Sequence, residues 1–484
     1  MTKLVLPAMA LVLLFPPSGA WAGGVKVSPE KAEFLNLLRV YASAPAVARG
    51  MWPGFDLSKY PLMICEEGES RCSAAWQKSV PKECYPMLVP GTTAFSSCPN
   101  LFGGIKTGFM LHYPYAGADL SVFRFPAGAD KWEKISTITH ELFHLYQTGF
   151  VPLKDGGGVL PADIPAEALA IAFMEDMYLA TGASVDKDDH YRRFVAMRRL
   201  LMAKYPEIGR ATNDQETLEG TARYIEDASS GDHSGEGVRR SWILDYLTGV
   251  TAGAVPEDSA FNIMSDRLYY TGAQQCIIMM DRLERMPDWR QRVEKGESVF
   301  SLFSGLVGAP KETPEQTAAA LASDSSYLAV LKIANAVVEK SSSAVRARME
   351  EFRSSKDVRL SVSFPQNDGE HAYSGYAWNI TDGFRLIETS GANFKTKYYD
   401  LSLSSTAYTF DARGGDAASV EALVGGSDGL ELILDDAIQS PIPAKAAFSS
   451  IELAGKKAVL RGGPGKLSFS GGVLSVSFDG RDYP

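Results

Sequence analysis

Asp130-Lys131-Trp132-Glu133-Lys134-Ile135-Ser136-Thr137-Ile138-Thr139-His140-Glu141-Leu142-Phe143-His144-Leu145 is the stretch on which the reading of this chain turns. Ile135, Ile138, Leu142 and Leu145 recur at spacings of three and four, which puts them on one face of a helix. His140 and His144 stand four apart, so on that helix they point to the same side, with Glu141 projecting beside them. Two imidazoles in this H-E-x-x-H spacing can offer nitrogens to one metal ion. A zinc ion held so takes three protein ligands and keeps water at its fourth position, and a glutamate can then remove a proton from that water. His140 and His144 are therefore candidate ligands and Glu141 a candidate base. His112, His190, His233 and His371 have no partner at ligand spacing and read as structural or surface residues.

Working outward, the stretch from Phe109 to Phe125 reads as short strands ended by Pro126-Ala127-Gly128. After Asp130 the helical period persists, with further helices expected over Ala166 to Thr181, His190 to Lys204, Gln215 to Asp227, Arg240 to Thr248, Ser265 to Arg285, and Thr313 to Phe352, the last broken near Asp324. Beyond Lys356 the pattern alternates as in strands, for example Val358-Arg359-Leu360-Ser361-Val362, and turns of glycine and aspartate separate the runs. Toward the N-terminus, Ser28-Pro29 reads as a cap followed by proline at the first helical position, and a cysteine-rich segment read as loop follows it.

Lys3, the apolar run from Leu4 to Phe15, and Ala20-Trp21-Ala22 form a signal-peptide pattern with cleavage after Ala22. Export to a periplasmic or secreted location follows, with no membrane insertion after cleavage, because Pro16-Pro17 ends the apolar run too early for a span. Cys65, Cys72, Cys84 and Cys98 suit two disulfides in such a compartment, with three pairings open, while Cys276 lies alone in an apolar helical run and reads as a buried thiol. The formal net charge of −10 argues against nucleic acid as a partner. Oligomeric state is not legible.

A third ligand must come from elsewhere, since neither the H-x-x-G-x-x-H extension nor an inverted H-x-x-E-H motif is present. Two glutamates compete: Glu167 in Pro165-Ala166-Glu167-Ala168, and Glu219 in Glu219-Gly220-Thr221-Ala222-Arg223-Tyr224. The second segment resembles the ligand helix of gluzincin metallopeptidases, which reads E-G-x-A-x-Y in one branch. The resemblance covers roughly residues 105 to 305 and implies Glu219 as the zinc ligand. It further implies that Gly220 lets its helix pass close to the metal helix. Tyr269-Tyr270-Thr271-Gly272 matches a Y-x-x-G pattern whose tyrosine, Tyr269 by alignment on the glycine, would stabilise an oxyanion. Glu167 lacks this context and sits in what looks like ordinary core packing.

The expected fold is α+β: the resemblance implies a mainly helical zincin-like catalytic domain with a small mixed or antiparallel sheet before the zinc helix, and the alternating pattern beyond Lys356 adds a C-terminal all-β domain. The segments are 1–22 signal peptide, 23–104 N-terminal helix and disulfide-rich segment, 105–354 catalytic domain, and 355–484 β module. Two departures matter. The G-x-M-E-N motif that holds a free amine in the family's aminopeptidases is missing, which turns the expectation toward an endopeptidase acting on a protein or peptide substrate. An aspartate that orients a ligand histidine in thermolysin-like members is here Arg223; Glu226 and Glu216 are the nearest substitutes, though both read first as exposed helix charge. The rival expectations are a zinc hydrolase of a non-peptide substrate and a non-catalytic binding protein on the same scaffold.

Overall fold

A computed structural model describes residues 25–43, 52–75, 82–89, 95–100, 108–115, 118–154, 160–161, 163–185, 188–229, 260–365, 370–381, 384–395, 399–411, 417–425, 430–455 and 457–478. The expected signal peptide, His233 and the expected helix over Arg240 to Thr248 lie outside these residues, as do the side chains of His112 and His371. The chain divides into two compact units, Met1–Val47 with Asp56–Gly128, and Ala48–Phe55 with Ala129–Pro484. The architecture is mixed α and β with a strand-rich C-terminal region.

The first unit contains helix α1 (Pro29–Ser43) and a seven-stranded sheet. Its strands are β1 (Val25–Lys26), β2 (Leu62–Glu66), β3 (Arg71–Ala75), β4 (Tyr85–Leu88), β5 (Phe95–Pro99), β6 (Gly108–Tyr115) and β7 (Ala118–Phe125), in the order β1-β4-β5-β3-β2-β7-β6. Ser28 caps α1 as expected, its Oγ accepting from Lys31 N at 3.2 Å. The cysteine-rich segment, expected as loop, instead supplies β2 to β5. Those strands are only four or five residues long, and β2 and β3 are packed from both sides, as in Leu62–Cys65, so no clean alternation marks them. Disulfides join Cys65 to Cys72 and Cys84 to Cys98, and the three of these cysteines that lie on strands, Cys65, Cys72 and Cys98, are 1 % exposed or less.

The second unit begins its helices with α2 (Lys131–Gln147), whose N-cap Asp130 accepts from Trp132 N at 2.8 Å and Glu133 N at 3.3 Å. Ile135, Ile138, Leu142 and Phe143 are fully buried, so the apolar stripe runs through Phe143 rather than through Leu145, which is half-buried. Phe143 packs edge-on against Trp52 and Phe55. Then follow α3 (Ala166–Val185), α4 (Asp188–Lys204), α5 (Pro206–Ser229) and α6 (Ala260–Asp281). α5 starts well before the expected Gln215 because Pro206 occupies its first position, where a missing N–H costs nothing. Two short helices not foreseen, α7 (Trp289–Glu294) and α8 (Val299–Val307), precede α9 (Pro314–Leu321) and α10 (Ser325–Ser354). The break near Asp324 is a cap: its carboxylate accepts from Ser326 N and Tyr327 N.

Nearly every side chain from Ala168 to Asp176 is buried, so α3 lies inside the bundle, and its apolar residues join those of α4 and α6 in one core. Cys276 on α6 is a fully buried free thiol, as expected. Arg198 (α4) and Arg267 (α6) are also fully buried. Arg198 bonds Glu175 and Glu216, and Arg267 bonds Glu175 and Asp176, all at 2.6–3.1 Å except for the weaker contacts they make to backbone and amide oxygens.

The C-terminal strands form a twelve-stranded, mostly antiparallel sheet around a separate apolar core. Its long strand Tyr399–Asp411 is shared: residues 399–403 pair with Ala458–Gly462 and residues 408–411 pair with residues 419–422. Met349 and Phe352 at the end of α10 pack with Leu386 and Leu423 of this sheet.

Candidate metal centre

Among the described residues, His140 and His144 on α2 and Glu219 on α5 form the one group of side chains that could hold a metal ion. The two Nε2 atoms are 3.1 Å apart, and Glu219 Oε2 lies 3.4 Å from His140 Nε2 and 3.1 Å from His144 Nε2. Ligands about 2.0–2.1 Å from a tetrahedral ion stand about 3.3–3.4 Å from one another, so this triangle has the size of one tetrahedral face.

The outer nitrogens are both engaged. His140 Nδ1 is 3.0 Å from Glu226 Oε2, an acceptor, and His144 Nδ1 is 2.7 Å from Gln147 Oε1, also an acceptor. In the neutral rings each Nδ1 therefore carries the hydrogen outward, and each Nε2 turns a lone pair toward Glu219. Only a cation or a proton relieves three such acceptors at this separation. Glu219 Oε2 is buried and accepts no well-formed hydrogen bond among the described residues, so the donor set fits a metal ion.

The electrostatics agree. Burial works against a charged His140, but Glu219 and Glu226 outweigh it and push the imidazole up to about 9. Burial works against the Glu219 carboxylate too, and the two imidazoles nevertheless hold it down to about 2. For Glu141 the balance tips the other way: burial lifts its carboxyl, the two histidines only partly offset this, and it stands at about 6.

Glu226 and Glu216 are corrections to the sequence reading, since neither is simply an exposed helix charge. Glu226 orients His140 and is itself held by Arg223 Nη1 at 2.8 Å, while Arg223 also pairs with Asp227 at 3.0 Å. Arg223 thus positions a carboxylate one helical turn further on, and that carboxylate faces His140 Nδ1. Glu216 is fully buried and bonds Arg198 at 2.8 Å, Thr271 Oγ1 at 2.5 Å and Gln275 Nε2 at 3.0 Å. It ties α5 to α6 behind the site.

Tyr269 lies within α6, with its ring stacked on His140 at a centroid distance of 5.9 Å and an interplanar angle of 16°. Burial and the neighbouring Glu219 carboxylate raise the pKa of its phenol, so the hydroxyl keeps its proton at neutral pH. Tyr270 turns aside, under the guanidinium of Arg223 at 5.4 Å. Gly220 also differs from expectation. Its close neighbour is Gly272 on α6, not α2: a Cβ built on Gly220 would lie 2.5 Å from Gly272 Cα, and one on Gly272 would lie 2.7 Å from Gly220 Cα. The two glycines let the helices of Glu219 and Tyr269 touch backbone to backbone. Glu167 is elsewhere, bonded to Lys204 and, at 2.7 Å, to Tyr205. Gln147 was not foreseen; its signal is the H-x-x-Q spacing, which puts it one turn beyond His144 on the same side.

Comparison of the chain with protein-family profiles, with curated proteins and with solved structures finds no match.

Proposed function

We propose that the protein is a zinc-dependent hydrolase of the gluzincin type that cleaves internal peptide bonds outside the cytoplasm. The observation that carries the reading is the convergence of His140 Nε2, His144 Nε2 and Glu219 Oε2 at 3.1–3.4 Å, with both outer nitrogens engaged. A zinc ion there would supply Lewis-acid polarisation of a carbonyl and a lowered pKa for water. With Glu219 and Glu226 both ionised, the charge of a divalent ion is balanced without drawing on Glu141. Glu141 remains free to take a proton from the attacking water and deliver it to the leaving amine. Burial lifts its carboxyl above the ordinary carboxylate range, toward the base strength that such a transfer uses. Tyr269, neutral and stacked on His140, would donate its O–H to the developing oxyanion. The rival reading of a non-catalytic scaffold drew on Arg223, and that support lapses because Glu226 orients His140 instead. Two disulfides fit an oxidising compartment.

The test is metal content and proteolysis of purified wild type beside three variants. Wild type and Glu167→Ala are expected to hold one zinc per chain and Glu219→Ala to lose it; the reverse pattern refutes the ligand assignment. Glu141→Gln is expected to keep zinc while losing about 10²–10⁴-fold of its activity on casein or a peptide library. A wild type loaded with zinc but inert on every peptide and protein tried would move the substrate to another carbonyl class.

A further inference from the structure

We infer that Gln147 is a positioning residue that sets His144 and Glu219 together for the metal ion, by fixing the tautomer of one and the helical turn of the other. The inference rests on the metal-site reading above. Gln147 is the last residue of α2 and is 7 % exposed, so its amide works in a dry environment where each unmade bond is costly. All three of its polar contacts are made. Nε2 donates to Leu218 O at 2.8 Å and to Thr221 Oγ1 at 2.8 Å, and Oε1 faces His144 Nδ1 at 2.7 Å.

Which way the amide points is decided on the other helix. The Leu218 carbonyl can only accept, and the single hydrogen of Thr221 Oγ1 is already given to Thr217 O at 2.7 Å. Both groups therefore demand the NH₂ end of the amide. Oε1 is left for His144, which must answer with Nδ1–H and so presents a lone pair at Nε2. Leu218 and Thr221 bracket Glu219, one residue before it and two after. The same amide that sets the second imidazole thus holds the turn that carries the carboxylate ligand. His140 is joined to α5 differently at Nδ1, by Glu226 alone, a carboxylate two turns past Glu219 that Arg223 holds from within the same helix.

Two features separate this role from ordinary core packing. Methionine at 147 would fill a similar volume but could form neither bond set. Glutamate could still accept from His144 but would turn an oxygen toward two acceptors on α5. The experiment compares wild type with Gln147→Met, Gln147→Glu, Thr221→Val and Thr221→Ser as full-length mature chains. It reads zinc affinity by chelator competition, the visible spectrum of the cobalt-substituted protein, and the tautomer of His144 by ¹⁵N NMR of the metal-free protein.

Gln147→Met is expected to weaken zinc binding by about 10–100-fold, to shift the cobalt spectrum, and to leave His144 as a mixture of tautomers. Gln147→Glu is expected to weaken binding as well. Thr221→Val should weaken it by about 2–10-fold and Thr221→Ser should restore it, which keeps the idea testable if substitutions at 147 prevent folding. Wild-type zinc affinity and a single His144 tautomer in Gln147→Met would overturn the proposal, and full affinity in Gln147→Glu would overturn the link to α5. A wild type that binds no divalent ion would instead refute the metal site itself, whereas the tautomer measurement would still report on Gln147.

Discussion

Five charged side chains in the helical region, Glu175, Asp176, Arg198, Glu216 and Arg267, are 2 % exposed or less, whereas the buried polar side chains described in the C-terminal sheet are Thr406 and Thr409 alone. The sheet core from Val358 to Val476 carries no buried charge among the described residues; beside its aliphatic and phenylalanine side chains it holds the phenols of Tyr399 and Tyr408. Apolar packing is non-directional and tolerates small slips in alignment. A buried ion pair is poor value as raw stability, because desolvation consumes most of the attraction, yet it is unforgiving about geometry. The charges lie where geometry matters most. Glu216 sits one turn before Glu219, and the Thr271 that bonds it is two residues past Tyr269.

The contrast can be broken at its strongest point first. Arg198→Leu leaves Glu175 and Glu216 buried without their shared partner, and we expect a loss of about 3–5 kcal/mol in denaturant unfolding together with weaker zinc binding. The matched change in the sheet, Leu460→Ala, removes a fully buried side chain and should cost about 2–5 kcal/mol while leaving zinc affinity at the wild-type value. If both variants weakened zinc equally, the helical charges would hold no special place. A middle-sized effect is expected from Gly272→Ala. The new methyl group meets Gly220 and the backbone of Glu216, so overpacking should cost about 1–3 kcal/mol and weaken zinc binding. The smallest sharpens the contrast from the outside: Lys204→Ala removes a partly exposed pair with Glu167 and should change stability by less than about 1 kcal/mol.

What could be read from the sequence follows the range of the interactions. The helix of His140, Glu141 and His144 was legible because its ligand spacing, apolar stripe and Asp130 cap all lie within a few turns of one another. Glu219 and Tyr269 came from resemblance, since nothing local distinguishes a ligand glutamate from Glu167. The partners of the imidazoles were harder. Glu226 carries the charge pattern of a solvated helix face, and only the packing of α5 on α2 turns it to His140. Gln147 has no unusual composition around it and acquires its meaning from a carbonyl 71 residues away. In the cysteine-rich segment the strands leave no period because they are short and β2 and β3 are packed on both sides, while the cap of α8 at Ser298, which accepts from Ser301 N, is a local signal that the sequence does carry.

Cys276 gives the site's own helix a clock. The thiol is fully buried on α6, two turns past Tyr269, and burial raises its pKa far above that of a free cysteine. A thiol reagent in solution can reach it only when α6 leaves its neighbours, so the rate of modification in native buffer counts those departures directly. Added zinc should slow that count by the factor with which it holds the closed form. The helix that presents Tyr269 therefore carries a built-in label whose reactivity times the opening of the region, without any engineered probe.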